Sequence, residues 1–138
     1  MHPIKTAKNI LIIGGKGKMG LLLEKLLSER GHNIASLDKE DVLDKDAIAS
    51  ADIVIIAVPM SIASSITKTV APLSRKDGLL LDINSLKSEV CAIMKEHCQS
   101  ECMGTHPLFG PSVKTIEGQN IIVCPIRGGE LSEYFLCE

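Results

Sequence analysis

The sequence predicts an α/β domain built on a doubly wound parallel sheet, and three observations support this fold class. Short apolar runs rich in β-branched residues alternate with stretches of helical periodicity. The connections between them are short, and a glycine-rich turn directly follows the first apolar run. The runs are apolar throughout, which is typical of strands that helices cover on both faces. We therefore expect parallel strands joined by right-handed helical crossovers.

The alternation predicts the strands and helices in order along the chain. The predicted strands cover residues 9–13, 34–38, 53–58, 79–83 and 121–124, with a weaker strand over 102–105. Apolar residues at helical spacing between Met19 and Leu27 predict the first helix, and Gly31 stands where a helix-ending glycine is expected. Further helices are predicted over 61–70 and 85–98, and residues 131–137 predict the start of another.

Length and composition indicate one globular domain over residues 1–138, which we expect to be incomplete at its carboxyl end because no strand follows the last helix. The chain is 45% hydrophobic and 23% charged, with a formal net charge of −2. This charge gives no electrostatic reason to expect nucleic acid or an anionic membrane as a partner. No apolar run approaches the roughly 20 residues that span a bilayer, and no secretory leader is evident, so we expect a cytoplasmic protein.

The cysteines do not indicate disulfides or a metal site. The chain has five of them, none paired at the C-x-x-C spacing, and in a cytoplasmic protein they are expected to be reduced. A zinc site formed by His97, Cys98, Cys102 and His106 is conceivable. Their spacing matches no known ligand pattern, so we predict no metal.

The turn after the first strand has the pattern of a dinucleotide-binding loop. Gly15, Gly17 and Gly20 form G-x-G-x-x-G between a strand and a helix. The first glycine permits a tight turn, the second lets backbone amides approach a pyrophosphate, and the third lets the helix pack closely. The helix N-terminus would offer free N–H groups and partial positive charge to the phosphates. We predict cofactor contacts at Gly15, Lys16, Gly17, Lys18, Met19 and Gly20; the alternative is a glycine-rich turn without a ligand.

Two further positions complete the predicted cofactor site, which indicates a Rossmann-type domain. Asp38 ends the second strand, where an acid can bind both hydroxyls of the adenosine ribose and repel a 2′-phosphate, so we expect NAD rather than NADP. Lys39 could partly offset this preference by holding such a phosphate. Val58 and Pro59 end the third strand at the edge that faces the cofactor, although Pro59 could equally be an ordinary strand terminator.

Two segments at the ends of later strands carry a resemblance to a known family. They read Asp82-Ile83-Asn84-Ser85-Leu86-Lys87 and Gly104-Thr105-His106-Pro107-Leu108-Phe109-Gly110-Pro111. They resemble the D-x-x-S-x-K and G-x-H-P-M-F-G-P segments of the prephenate and arogenate dehydrogenases of tyrosine biosynthesis. Leu108 replaces the commoner Met, and the 21-residue separation of Ser85 from His106 also agrees with that family. With the glycine loop, the resemblance extends from Lys8 onward.

The resemblance implies an NAD-dependent oxidative decarboxylation of a small cyclohexadienol, prephenate or arogenate. By analogy, His106 would accept the proton of the substrate hydroxyl, which suits a neutral imidazole. Ser85 would orient His106 and touch the substrate or nicotinamide, and Lys87 would be a cationic contact to substrate or cofactor. Simpler roles stay open: Ser85 as a helix N-cap, Lys87 as a solvated lysine, and His106 as an ordinary loop residue.

The family's nucleotide domain is followed by a helical domain that makes the dimer and supplies arginines to the substrate carboxylates, and nothing in this chain corresponds to it. We therefore expect the NAD-binding half of a dehydrogenase, inactive or slow by itself. A non-catalytic NAD-binding module and a β-hydroxyacid-type dehydrogenase are the alternatives. We also expect a homo-oligomer, or association through the segment Tyr134-Phe135-Leu136, because nothing in the chain would cover it.

Overall fold

A computed structural model describes residues 7–38, 44–85, 87–115 and 117–137. The strands are β1 (Asn9–Ile13), β2 (Asn33–Leu37), β3 (Ile53–Ile56), β4 (Leu79–Asp82), β5 (Glu101–Pro107) and β6 (Ile121–Arg127). The helices are α1 (Lys18–Glu29), α2 (Lys45–Ser50), α3 (Met60–Val70), α4 (Ser88–His97) and α5 (Glu130–Cys137), with a short 3₁₀ turn over Ala71–Leu73. No helix in these ranges is long and apolar enough to cross a membrane.

The strands form one sheet in the order β2-β1-β3-β4-β5-β6. The strands β1 to β5 are parallel, which confirms the predicted doubly wound fold class. The strand β6 runs antiparallel to β5, whereas the sequence predicted a parallel strand. A parallel partner needs a crossover, usually helical, and no helix is found in the described residues between β5 and β6.

Helices cover the two faces of the sheet unequally. On one face, α1 packs Leu23 and Leu27 against the sheet, and α5 adds Phe135. On the other face lie α2, α3 and α4, whose buried residues Ile48, Ala63, Val70, Val90 and Met94 share one core cluster. Only β1, β3 and β4 are almost wholly buried, while β2 and β6 are largely exposed. The expectation that helices cover both faces of every strand is therefore wrong for β2 and β6. These strands lie at the two ends of the sheet, and each pairs with another strand on one side only.

Three element boundaries differ from the predictions. The helix α4 begins at Ser88, three residues after the predicted start, and Lys87 occupies its N-cap position without a side-chain cap. The interpretation of Ser85 as a helix N-cap is therefore wrong. The short helix α2 was not predicted; the Asp44 carboxylate caps it by accepting hydrogen bonds from the amides of Asp46 and Ala47. The strand β5 continues through His106, so this histidine is not a loop residue.

The predicted end of α1 at Gly31 is confirmed. Gly31 has φ +89°, its amide donates to the carbonyl of Ser28, and the next amide, of His32, donates to the carbonyl of Leu27. This pair of bonds is the Schellman arrangement, which satisfies carbonyls that the helix end would otherwise leave unpaired. It turns the chain sharply into β2.

Candidate functional site

The predicted cofactor segments meet at the point where the strand order reverses. The strand β1 lies between β2 and β3, and the last residues of β1 and β3, Ile13 and Ile56, pair in register. The next residues are in close contact, because a Cβ added at Gly14 would lie 2.7 Å from the carbonyl oxygen of Ala57. Ligands of open α/β sheets bind at this carboxyl edge, at such a reversal.

The tight turn of the glycine loop lies one residue earlier than predicted. Gly14 has φ +93°, and its amide donates to the carbonyl of Leu37 at 2.7 Å. Gly15 has no positive φ; it is required because a Cβ there would lie 2.2 Å from the Cβ of Ser36 on β2. The assignment of the turn to Gly15 is therefore wrong. The doubled Gly14-Gly15 was the signal that the sequence analysis did not use.

The other two glycines have different reasons to be glycine. A Cβ at Gly20 would lie 2.4 Å from the carbonyl oxygen of Gly14, so this glycine lets α1 approach the loop. At Gly17, only that same oxygen lies near a Cβ, at 3.3 Å, and the residue is exposed. Packing within the protein therefore requires Gly15 and Gly20 more strongly than Gly17, whose open side leaves room for a ligand.

The N-terminus of α1 is open to an anion. Gly17 occupies the N-cap position without a side-chain cap, and the first turn contains no acidic residue. Lys16 and Lys18 are exposed beside it, and Met19 is half-buried. Uncapped helix amides and partial positive charge, flanked by two lysines, suit a pyrophosphate.

Asp38, which was predicted to bind the adenosine ribose, lies beside this loop. The residue follows β2, and its Oδ2 accepts a hydrogen bond from the amide of Lys16 at 2.7 Å. The bond joins the end of β2 to the glycine loop and fixes the carboxylate at the cofactor edge. Lys39, which was weighed as a 2′-phosphate contact, lies outside the described residues.

Val58 and Pro59 occupy different environments. The side chain of Val58 is 9% exposed and belongs to the core cluster beneath α3. Pro59 is exposed and occupies the N-cap position of α3, three residues beyond Ile56, the last residue of β3. Of the two, Pro59 is therefore the one whose side chain can reach a cofactor.

The residues of the D-x-x-S-x-K segment are organised around the buried carboxylate of Asp82. Its Oδ2 accepts hydrogen bonds from the Lys87 ammonium and from the main-chain N–H of Asn84. Ser85 lies on the exposed loop between them, and its hydroxyl approaches the Met60 sulfur at 3.9 Å. Lys87 is 15% exposed and ion-paired, so the interpretation of Lys87 as a solvated lysine is wrong.

His106 lies on β5 beyond the end of the neighbouring strand. Gly104 pairs with Asp82, the last residue of β4, so His106 extends about 6–7 Å past that strand. Because side chains alternate along a strand, His106 projects to the same face as Gly104, whose absent Cβ would point toward Lys87 and Cys91 of the α4 side. His106 is partly exposed, and its imidazole makes no hydrogen bond to any residue that the structure describes, whereas its backbone lies in the β5–β6 ladder opposite Ile122.

Ser85 was expected to orient His106 through a hydrogen bond or one bridging water, and the structure shows no direct hydrogen bond between the two side chains. The Ser85 hydroxyl is directed to Met60 at the start of α3. Both residues lie at the carboxyl ends of adjacent strands, but their hydroxyl and imidazole groups are not paired.

The residues around His106 in its motif line a separate apolar cavity of about 230 Å³. Thr105 and Pro107 contribute to it from the other face of β5 and Phe109 from just beyond that strand, together with Leu23 of α1 and Phe135 of α5. The motif therefore divides between two faces, with His106 on one and its neighbours on the other.

The four described thiols are free: Cys91 lies next to Gly104, and Cys124 pairs with Gly104 across the β5–β6 ladder. Cys98 and Cys102 are buried near the amino end of β5, where a hydrogen bond from Cys102 and another from Ser100 lower the pKa of the Cys98 thiol to about 6, against the effect of burial. The same contact raises the pKa of Cys102. His106 lies near the other end of β5, and no cluster of three metal-ligating side chains occurs in the described ranges.

Comparisons with known proteins agree with this arrangement. The profile of the family described as "Prephenate dehydrogenase, nucleotide-binding domain" matches residues 24–130. The "T-protein" of Enterobacter agglomerans is 34% identical over 128 residues, which are 92% of this chain and 34% of that protein. The "Probable arogenate/prephenate dehydrogenase" of Methanocaldococcus jannaschii is 31% identical over 147 residues, covering 94% of this chain and 33% of that protein. The chain thus spans about a third of the length of these relatives.

Solved structures show the same fold. The Synechocystis arogenate dehydrogenase superposes with a TM-score of 0.78 at 17% identity, over 94% of this chain and 55% of that one. The Aquifex aeolicus prephenate dehydrogenase gives 0.73 at 20% identity, over 94% and 57%. The matched profile covers more than half of the chain, and the relatives extend the similarity across the glycine loop. The chain therefore belongs to the prephenate dehydrogenase family, of which it represents the nucleotide-binding domain.

Proposed function

We propose that this chain binds NAD and forms the cofactor-binding part of a dehydrogenase that oxidatively decarboxylates prephenate or arogenate. The observation that carries the proposal is the glycine loop, where Gly17 has an open side and the Lys16 amide holds Asp38 beside it. A structure of the Aquifex aeolicus relative is described as a complex with hydroxyphenyl propionate and NAD+. The family membership disfavours the alternative of a β-hydroxyacid-type dehydrogenase.

The residues present fit a dinucleotide. The space that a Cβ at Gly17 would enter accommodates a pyrophosphate, which the uncapped amides of α1 and the lysines Lys16 and Lys18 would bind. The carboxylate of Asp38 has the acceptor capacity for ribose hydroxyls in addition to the Lys16 amide. Its negative charge would repel a 2′-phosphate, so NAD is the cofactor that fits.

The chemistry would take place at the exposed end of β5. Bound NAD would supply the hydride acceptor. The imidazole of His106, which has no hydrogen bond to a described residue, would accept the proton of the substrate hydroxyl while the substrate loses a hydride and its ring carboxylate leaves as CO₂. Ser85, exposed on the neighbouring loop, would bind the substrate hydroxyl or the nicotinamide.

The substrate class, self-association and location of the protein are proposed on separate grounds. A small-molecule substrate follows from the family, whereas self-association rests on exposed apolar residues near the carboxyl end. A cytoplasmic location rests on the biosynthetic role that the family implies.

Two measurements test the proposed function. NAD and NADP are first titrated separately into the chain by calorimetry, and NAD is expected to bind more tightly. A full-length protein that carries this domain is then assayed with both substrates, with and without His106→Asn. This substitution is expected to lower turnover by about 10²–10⁴-fold with little change in NAD affinity. Failure of the chain to bind NAD contradicts the proposal, and binding without turnover in the full-length protein favours a non-catalytic module.

A further inference from the structure

The carboxylate of Asp82 is the most deeply buried charged group beside the candidate catalytic residues. Its side chain is 0% exposed and forms an ion pair with Lys87, which is itself 15% exposed. Burying a carboxylate is costly unless it is paired and hydrogen-bonded. The family resemblance implies no role for Asp82 beyond its place in the D-x-x-S-x-K segment.

The hydrogen bonds of Asp82 converge from both segments that carry the candidate catalytic residues. From its own loop, the Lys87 ammonium and the main-chain N–H of Asn84 donate to Oδ2, and these two residues flank Ser85 in the sequence. From the neighbouring strand, the hydroxyl of Thr105 donates to the main-chain oxygen of Asp82. Thr105 directly precedes His106.

The neighbouring strand leaves space for this ion pair. A Cβ at Gly104 would lie 3.0 Å from the Lys87 Cδ and 3.4 Å from the Asp82 Oδ1. The same Cβ would collide with the Cys91 sulfur, at 2.6 Å. The glycine of the second motif therefore leaves room for Cys91 and for the lysine of the first motif.

We propose that Asp82 and Lys87 are positioning residues, which hold the Ser85 loop in register with the strand that carries His106. This assigns Lys87 a different role from the substrate or cofactor contact that the family resemblance implies, because its ammonium is already paired with a buried carboxylate. The inference deepens the proposed function and rests on it for the use made of Ser85 and His106. The contacts that hold the Ser85 loop lie within the protein and require no cofactor.

The test measures amide hydrogen exchange of the loop in this chain. The variants are Asp82→Asn, Lys87→Met and the double variant Asp82→Leu/Lys87→Met, an apolar pair that recovers stability without restoring the hydrogen bonds. The control is Asp52→Asn, which breaks the Asp52–Arg75 ion pair where the chain enters β3, at the opposite edge of the sheet. Exchange at Asn84 and Ser85 is compared with exchange at Ile55 in the sheet core, so that a general loss of stability cancels.

We expect the loop amides to exchange about tenfold faster relative to Ile55 in both single variants and in the apolar double variant, and not in the control. NAD affinity should stay within about twofold of the unmodified chain, because the phosphate loop is anchored separately. NAD-induced chemical shifts at Ser85 and His106 should be lost. If the double variant recovers thermal stability but its loop amides still exchange faster, then the hydrogen bonds of Asp82 and Lys87 hold the loop, and the removal of an unpaired buried charge is not sufficient to hold it.

Unchanged loop exchange in the single variants overturns the inference, and so does recovery of loop protection in the apolar double variant. If the unmodified chain binds no NAD, the proposed function fails. The exchange comparison still decides whether Asp82 and Lys87 hold the loop, because it is made without cofactor.

Discussion

At the scale of single residues, the glycine loop shows that one motif contains glycines of different kinds. Gly14 is needed for a left-handed backbone conformation, and Gly15 and Gly20 are needed because the neighbouring backbone or strand is too close for a Cβ. Gly17 has an ordinary φ of −70° and an open side. A substitution at Gly17 therefore tests ligand binding, whereas one at the other positions would mainly test folding.

Gly17→Val should abolish NAD binding in a folded protein. The branched side chain would occupy the space that a pyrophosphate needs, and losing two charge-assisted hydrogen bonds weakens binding by about 100-fold or more. Gly128→Val is the control, because a Cβ there makes an ordinary contact with the Ser132 hydroxyl at 3.6 Å. Calorimetry measures the affinity and circular dichroism the fold; unchanged NAD affinity in folded Gly17→Val would disprove the dinucleotide role.

Asp38 should account for the preference for NAD over NADP. The unmodified chain is expected to bind NAD at least about tenfold more tightly, since the carboxylate would face the 2′-phosphate of NADP. Asp38→Asn removes the charge but keeps an acceptor for the Lys16 amide, so it should erode the preference with little effect on the loop. Asp38→Ala removes both and should also weaken NAD binding. Equal affinities for the two cofactors in the unmodified chain would contradict the ribose role.

At the scale of elements, different groups of residues lie at the carboxyl ends and at the amino ends of the strands. At the carboxyl edge, loops follow β1, β3 and β4 and bring the glycine loop, Pro59 and Ser85 to one side of the protein. At the amino ends of the strands, the Asp52 carboxylate joins neighbouring segments, because it accepts hydrogen bonds from the main-chain N–H of Asn9 and from the Arg75 guanidinium. The carboxyl ends of the strands therefore carry the candidate site, whereas the contacts at the amino ends stabilise the fold.

The pH dependence of stability should reflect Asp52. Burial acts to raise the pKa of its carboxyl, but the Asn9 amide and the Arg75 guanidinium outweigh burial and hold the pKa below 3.8. The stabilisation is therefore present above pH 3.8 and is lost as the pH falls through the lower, folded value.

Asp52→Asn should accordingly cost about 1 kcal/mol near neutral pH and much less in strong acid. Chemical denaturation of both proteins across this pH range measures the difference. Asp44→Asn at the exposed cap of α2 is a suitable comparison, because asparagine caps helices as well as aspartate. A stability difference that does not shrink in acid would argue against the ion pair.

At the scale of the whole molecule, apolar side chains are exposed around the carboxyl end of the chain. Leu108, Ile122 and Leu136 are each about half exposed, and β6 is an edge strand. Phe135 is half-buried against the core, so it is less available than expected, and the side chain of Tyr134 lies outside the described part. The candidate surface for association therefore includes the β6 edge as well as the last helix.

We expect the isolated chain to self-associate through this surface. Ile122→Lys and Leu136→Glu should each shift the equilibrium toward monomer in sedimentation, because a charge in an apolar interface is costly. Leu21→Lys, at an equally exposed leucine on α1, should have no such effect. A monomer at every concentration of the unmodified chain would refute this expectation.

Local sequence patterns were sufficient to predict the order of the strands and of every α-helix except α2, the position of the glycine loop and the family. Each of these depends on neighbours in the chain: apolar runs predict buried strands, helical spacing predicts α1 and α3, and Gly31 predicts the end of α1. The tertiary structure decided what depends on residues far apart in sequence. These features include the antiparallel direction of β6, the role of Gly15 against Ser36, and the space that Gly104 leaves for Lys87. No local pattern contains them, because each is set by how closely separate elements pack.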